Sequence, residues 1–409
     1  MEYQTMCFCQ IIKSVLRPEE KCEFDERIKW TFLVQLAKEQ NILPLFVEGA
    51  TKYSPYVSRP EYGSEMQEVF ATVASQVKRT NAFLKLYKAF TDEGIYPLVL
   101  KGLVCRELYR KLRDHRPSGD EDILISLSEY WRAKDVLIAN GYIAQIESET
   151  EAQLEQLQEV SFIHPKERLH IELHLNPMGR ENFVRSRMSD YFKNVFKDYR
   201  EVEIQGVRVR TMNHQHHLLF LILHAFRHFT GGGFGIRQML DVLLYQERYG
   251  MEIDMKQLQE TLQSFRADIF WSDLIHIGNL YFGFKLPILH SSNCPEELLE
   301  DMIRCGAFGN KTQAERTAKI TTMIATEYRM KNASGNVMIM LWELLFPSRA
   351  YLVDCYPYLE EKPWLLPIEW LKRWGRFIKH NRKNNGNLAI ESMKISKRRM
   401  QLLKKYDLI

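Results

Sequence analysis

Two carboxylates sit two residues apart at the head of an apolar run in Arg116-Pro-Ser-Gly-Asp-Glu-Asp-Ile-Leu-Ile125. In a β-strand, side chains at i and i+2 share a face, roughly 6–7 Å apart along the chain. Asp120 and Asp122 can therefore converge on one divalent cation or bracket a pair of them. Acids opening an Ile-Leu-Ile strand are costly to bury without a cation or strong donors. A lone Asp-x-Asp is equally an acidic turn capping a strand, so its neighbours decide. Upstream, Tyr96-Pro-Leu-Val-Leu-Lys-Gly102 reads as a strand ending in Lys-Gly, with a helix expected over 103–112. A glycine between strand and helix lets backbone approach an anion, and the helix start offers free N–H groups. Lys101 adds a charge beside that point. Downstream, Arg168-Leu-His-Ile-Glu-Leu-His-Leu175 alternates strictly, which puts His170, Glu172 and His174 on one face and four aliphatic residues on the other. Glu172 is thus a candidate third carboxylate.

The elements that must position these residues follow from periodicity and punctuation. Residues 1–50 read as helices, with Trp30, Leu33, Val34, Leu36 and Ala37 near a 3.6 period, and 54–60 as a loop. A long helix is predicted from Ser64, its expected N-cap, to Glu93, with Gly94 as the stop. Strands are predicted at 96–100, 121–126, near 142–146, at 160–164 and at 168–175, with a helix at 128–139 and a hairpin over 200–210 around Gln205-Gly206. From 213 onward the chain reads as helical, with breaks at 231–233, 287–295 and 346–347. The division expected is an N-terminal helical region (1–95), a mixed core (96–212) and a C-terminal helical region with a basic tail (213–409).

Leu-Lys-Gly at 100–102, Arg116 with Gly-Asp-Glu-Asp-Ile-Leu-Ile at 119–125, and Ile-Glu-Leu-His at 171–174 together resemble the uncharacterised nucleotidyltransferase family. That family is part of the DNA polymerase β-like nucleotidyltransferase superfamily. Ile28-Lys-Trp and Ile42-Leu-Pro-Leu45 are similar to its helical lead-in. His217 to His228, with Arg237 and Asp241, is similar to its later helices. The likeness extends over roughly residues 25–380. It implies an α+β fold, a small mixed-sheet nucleotidyltransferase core flanked by N-terminal helices and a larger helical C-terminal region. It also implies Mg²⁺ or Mn²⁺ as cofactor, held by Asp120, Asp122 and Glu172 as the catalytic acids. Nucleotide contacts would come from Lys101, Gly102, Arg116, Gly119 and Arg237. Two departures stand out. The superfamily's Gly-Ser pair is Gly102-Leu103 here, which leaves the phosphate contact of the missing hydroxyl to Lys101 or Arg116. The third acid is Glu172 where Asp is common.

The reaction implied moves a nucleoside monophosphate from an NTP to an acceptor and releases pyrophosphate. The acceptor is open among a small molecule, a protein and a nucleic acid. The alternative is a non-catalytic nucleotide- or partner-binding module on the same fold, but a degenerate module is expected to lose an acid and all three are present.

Composition agrees with an intracellular enzyme. The 409 residues carry a net charge of +4, with 45% hydrophobic and 12% aromatic residues, enough for packed cores in two or three lobes. Seven scattered cysteines lack zinc or redox spacing, which points to a reducing, cytoplasmic setting. No apolar run approaches the length of a membrane span and the N-terminus does not read as a signal peptide. His224 and His228 at i, i+4 read as structural or substrate-adjacent rather than as a zinc site, and Arg237 and Asp241 as a pair on one helix face. The Gly231-Gly-Gly-Phe-Gly235 run reads as a flexible connection, a mobile flap. His174 reads as orienting the acid. Residues 371–409 hold twelve Lys or Arg against two acids, which suggests an anionic partner. Trp370, Trp374, Phe377 and Ile378, which lead into that segment at helical spacing, read as the buried face of a docked helix, with a basic amphipathic helix for an anionic surface as the alternative, and 394–405 reads as an exposed tail.

Overall fold

The computed structural model describes residues 2–19, 23–145, 150–179, 183–288, 293–307, 322, 326, 346–353, 356–359, 362–383 and 387–409. Cys22, Cys355 and part of the break expected at 287–295 lie outside them. The fold is α+β. Seven strands form one mixed sheet: β1 (Leu98–Val99), β2 (Asp120–Leu124), β3 (Ile143–Ala144), β4 (Glu159–His164), β5 (Leu169–His174), β6 (Tyr199–Ile204) and β7 (Val207–Met212). Their order is β3-β4-β5-β2-β1-β7-β6. β2 runs parallel to β5 and antiparallel to β1, and β1 runs parallel to β7.

Alternation sets the two faces. Ile123, Leu169, Ile171, Leu173, Val160 and Phe162 point to one side and are buried with Phe83, Tyr87 and Phe90 of the helix Tyr62–Asp92 and with Ala133 and Leu137 of the helix Tyr130–Ala139. Each such side chain taken fully out of water contributes about 1.5–3 kcal/mol. The opposite parity, carrying the acids, is left free for a cleft. The hairpin turn forms where expected, because Gln205 and Gly206 both adopt positive φ (50° and 80°), which suits the twist of β6 and β7.

Several expectations are corrected. The long helix starts at Tyr62, and Ser64 donates to Glu61 O instead of capping. The loop at 54–60 holds a one-turn helix, Ser54–Val57, begun by Pro55. A short helix not anticipated, Glu151–Gln156, is closed by a capping box of Thr150 and Gln153. The helix expected over 103–112 is a single α-turn, Leu103–Arg106, followed by 3₁₀ structure over Glu107–His115 that breaks at Arg110 (φ 53°). The glycine run 231–235 is buried throughout, not a flap. Nor is 394–405 an exposed tail. It belongs to the helix Asn387–Lys405, where Arg399, Leu402 and Leu403 are buried and Arg399 donates to Phe229 O.

Two compact units divide the chain. The first holds residues 1–225 and 235–307, and the second holds 226–234 and 308–409. Among the described residues no helix is long and apolar enough to cross a membrane.

His217, on the helix His214–Gly231, gives a testable consequence of the packing. Thr211 donates its hydroxyl proton to Val99 O (2.6 Å) and lies 3.2 Å from His217 Nδ1, so the ring's proton sits on Nδ1. Burial, with Arg200 nearby, pulls the imidazole down to about 3. The unfolded chain, near 6.5, therefore binds the extra proton first. Stability from this group is complete above pH 6.5 and is lost as pH falls toward 3, at about 1.4 kcal/mol per pH unit. His217→Gln should flatten the urea midpoint between pH 6.5 and 4.5 relative to the wild type. Parallel acid limbs would show that His217 does not carry the slope.

Candidate active site

The site begins with the strand register. In β2 and β5, Asp122 pairs with Glu172 and Asp120 with His170, so the two aspartates and Glu172 occupy one sheet face on adjacent strands. β4 adds Glu159, opposite His174. Asp122 is 1% exposed and is bonded on Oδ1 by Lys101 Nζ (2.8 Å) and by His174 Nε2 (3.0 Å). Burial works against its charge, but Lys101 and His174 hold its carboxyl well below the usual carboxylate range. For Lys101, burial is outweighed by Asp122, Asp120 and Glu172, which raise its ammonium.

His174 is also fully enclosed, 3.4 Å from Glu159 and 3.6 Å from Glu172. Burial lowers its imidazole, but Asp122, Glu172 and Glu159 together push it up to about 9. At neutral pH it is a cation that donates to Asp122, whereas a metal ligand must be neutral. Glu172 is raised to about 7 by burial and by the repulsion of Asp122, Glu159 and Asp120, against a lowering hydrogen bond from His174.

Among the described residues, Asp122, Glu172 and His174 are the one group of acids, histidines or cysteines close enough to share an ion, with ligand atoms all within 4.8 Å. The carboxylate oxygens suit a hard divalent cation. Glu172 is pushed up first by burial and then by its acidic neighbours, and a cation would offset both, so the two carboxylates of this group, without protonated His174, fit a hard divalent ion such as Mg²⁺ or Mn²⁺. Asp120 stands outside that group, one step along the same face.

A cleft of about 50 Å³ opens beside the acids, lined by Lys101, Gly102, Arg116, Ser118, Asp120, Asp122, Arg237 and Asp241, with Leu221 and His224. That is room for a few water-sized groups, the scale of a phosphate. Glu172 is not part of its lining. Arg116 grips Asp241 through Nε (2.8 Å) and Nη2 (2.5 Å), and Tyr109 donates to the same carboxylate. The pair expected between Arg237 and Asp241 is thus replaced by Arg116 and Asp241, while Arg237 donates to Pro117 O. Arg116 Nη1 and Arg237 Nε are buried with no hydrogen-bond partner among the described residues. Burial and the Arg116 charge lower the Arg237 guanidinium. One buried and one half-buried guanidinium, each with a spare buried N–H donor, have the chemistry that suits an anion.

The loop carrying Asp120 is pinned. Ser118 N–H donates to Gln76, Arg79 donates to Ser118 O, and Ser118 Oγ donates to Asp120 O. Gly119 is exposed, with open space around its Cα and no positive φ.

The middle acid of the Asp-Glu-Asp run was not singled out in the sequence, and it explains the turn that follows β1. Glu121 points to the opposite face from the aspartates. Its Oε2 accepts the Leu103 N–H (2.7 Å) and its Oε1 accepts Arg106 Nη1 (2.7 Å), both buried. The N–H group expected to meet a phosphate is therefore taken by the protein's own carboxylate. Gly102 has φ +48°, and a Cβ there would overlap Glu121 Oε2 and lie 2.8 Å from its Cδ. Gly102→Ala should accordingly destabilise the protein by about 3 kcal/mol or more, read as a fall in melting temperature. An unchanged melting temperature would mean the turn relaxes freely. Alternation could have revealed Glu121 as an inward acid needing a cation, but nothing in the spacing identified Arg106.

A family model described as an uncharacterised nucleotidyltransferase matches residues 26–283, short of the 380 to which the likeness had been extended. No curated protein and no solved structure matches the chain.

Proposed function

The chain belongs to the uncharacterised nucleotidyltransferase family, and from that membership we propose that it moves a nucleoside monophosphate from an NTP to an acceptor hydroxyl or phosphate, with release of pyrophosphate. One observation carries the reading: a single cleft sets Asp120 and Asp122 beside buried Arg116 and half-buried Arg237, whose buried Nη1 and Nε have no hydrogen-bond partner among the described residues. Carboxylates beside spare guanidinium donors suit a substrate that brings both cations and phosphate oxygens.

Asp120, Asp122 and Glu172 would hold Mg²⁺ or Mn²⁺, which when bound stabilises charge on the triphosphate. Phosphate recognition falls to side chains and to the Gly102 backbone, which lines the cleft, because Leu103 N–H is occupied by Glu121. Arg237 Nε and Arg116 Nη1 bond phosphate oxygens, and Asp241 and Tyr109 fix the Arg116 plane. Lys101 neutralises charge at the acid end of the cleft. Glu172, poised near neutrality, accepts the acceptor's proton on its carboxylate. His174 positions Asp122.

The test is to incubate the protein with each NTP labelled on its α-phosphate, Mg²⁺ or Mn²⁺, and a cell extract. Label is expected on one acceptor species, and only with the native acids present. Bound but untransferred label with every NTP would favour a nucleotide-binding module instead.

A further inference from the structure

We propose that the outer face of the helix Leu366–Lys383, with the turn before it, docks on an anionic lipid surface. This goes beyond nucleotidyl transfer and does not depend on it. The helix has two apolar sides. On one, Trp370 and Trp374 meet Phe346 edge-on at 5.1 and 5.0 Å, Trp370 Nε1 donates to Pro347 O, and Glu369 is buried. On the other, Trp364, Ile368 and Leu371 are 69%, 46% and 64% exposed. Their i, i+4, i+7 spacing makes one continuous stripe. A soluble helix normally carries polar residues where this one carries a tryptophan and two aliphatic side chains.

Charge selects the occupant. Lys362 and Lys372 are exposed beside the stripe, Lys372 in an ion pair with Glu369 (2.6 Å), and Glu360 and Glu361 precede Lys362 in the sequence. Arg376 and Lys379 follow in the sequence, within a segment, 371–409, of twelve basic and two acidic residues. A second copy of the chain would bring like charge against like. A nucleic acid would use aromatic platforms among the basic groups, but only Trp364 in the stripe is aromatic. Aliphatic side chains that enter the acyl boundary, a tryptophan at headgroup depth and flanking lysines against lipid phosphates match an interfacial helix lying in the plane of the membrane.

The experiment uses the full chain and sedimentable vesicles of phosphatidylcholine, alone or with about a third phosphatidylserine. The protein should sediment with the anionic vesicles and not with the neutral ones, and added salt should release it. Replacing Trp364, Ile368 and Leu371 together by Ser should weaken vesicle binding by about tenfold or more. The melting temperature should hold, since all three are exposed. Lys362→Glu with Lys372→Glu should weaken it as well. Equal binding to both vesicle types, no binding to either, or full binding by the triple variant would each overturn the proposal. So would capture of a single-stranded RNA oligonucleotide in preference to anionic vesicles.

Discussion

Asp120→Asn is expected to lower nucleotidyl transfer by about 10³-fold with little change in melting temperature, whereas Asp122→Asn should lose both activity and stability. The two residues are one register step apart on β2 but differ in burial and partners. Asp122 is enclosed and neutralises Lys101 and His174, both of which touch its Oδ1. Removing its charge takes the nearest anion from half-buried Lys101 and buried His174 and leaves them only the more distant Asp120, Glu159 and Glu172, a loss that approaches that of a broken buried pair, about 3–5 kcal/mol. Asp120 is only partly buried, so its amide is tolerated by the fold. Activity and thermal unfolding should be measured on the same preparations. Near-native transfer by Asp120→Asn would remove that residue from the catalytic set. Equal melting temperatures for both variants would show that the Lys101, Asp122 and His174 cluster adds little to the fold.

What the sequence made legible was whatever depends on local period. Strict alternation over 168–175 located β5 and assigned Glu172 and His174 to a common face, and the Gln205-Gly206 turn located the β6–β7 hairpin. The acids of β2 were read on the same basis. Contacts between distant segments were not accessible in this way. The i, i+4 spacing of Arg237 and Asp241 suggested a local pair, yet a guanidinium 125 residues away takes that aspartate in a two-pronged bond with better geometry. Glu159 enters the acid cluster only through the β4–β5 register. The helix assumed after Gly102 failed for a related reason. Arg106 turns inward to Glu121, and the chain then tightens into 3₁₀ structure and breaks at Arg110. No short-range pattern contains that requirement.

Binding and chemistry should separate within the cleft. Arg237 and Lys101 line it and are assigned to phosphate oxygens, whereas Glu172 lies outside its lining, beyond Asp122. A charged hydrogen bond to phosphate is worth about 1.5–3 kcal/mol, so Arg237→Ala or Lys101→Ala should weaken NTP binding by roughly 10- to 150-fold. Glu172→Gln leaves those contacts in place, with Asp120 and Asp122 still beside the triphosphate, and binding should change little. It does remove the carboxylate held near pH 7 by burial and its acidic neighbours, so that a proton-accepting group becomes an amide that cannot accept one. Single-turnover pyrophosphate release should fall by roughly 10²-fold or more. Equilibrium affinity for a non-hydrolysable NTP and single-turnover rates would be measured for all three variants. A Glu172→Gln protein that binds and transfers like the native one would reduce this glutamate to a structural acid. If instead it loses affinity as steeply as Arg237→Ala, Glu172 holds the nucleotide and the division of labour proposed for the two ends of the site is wrong.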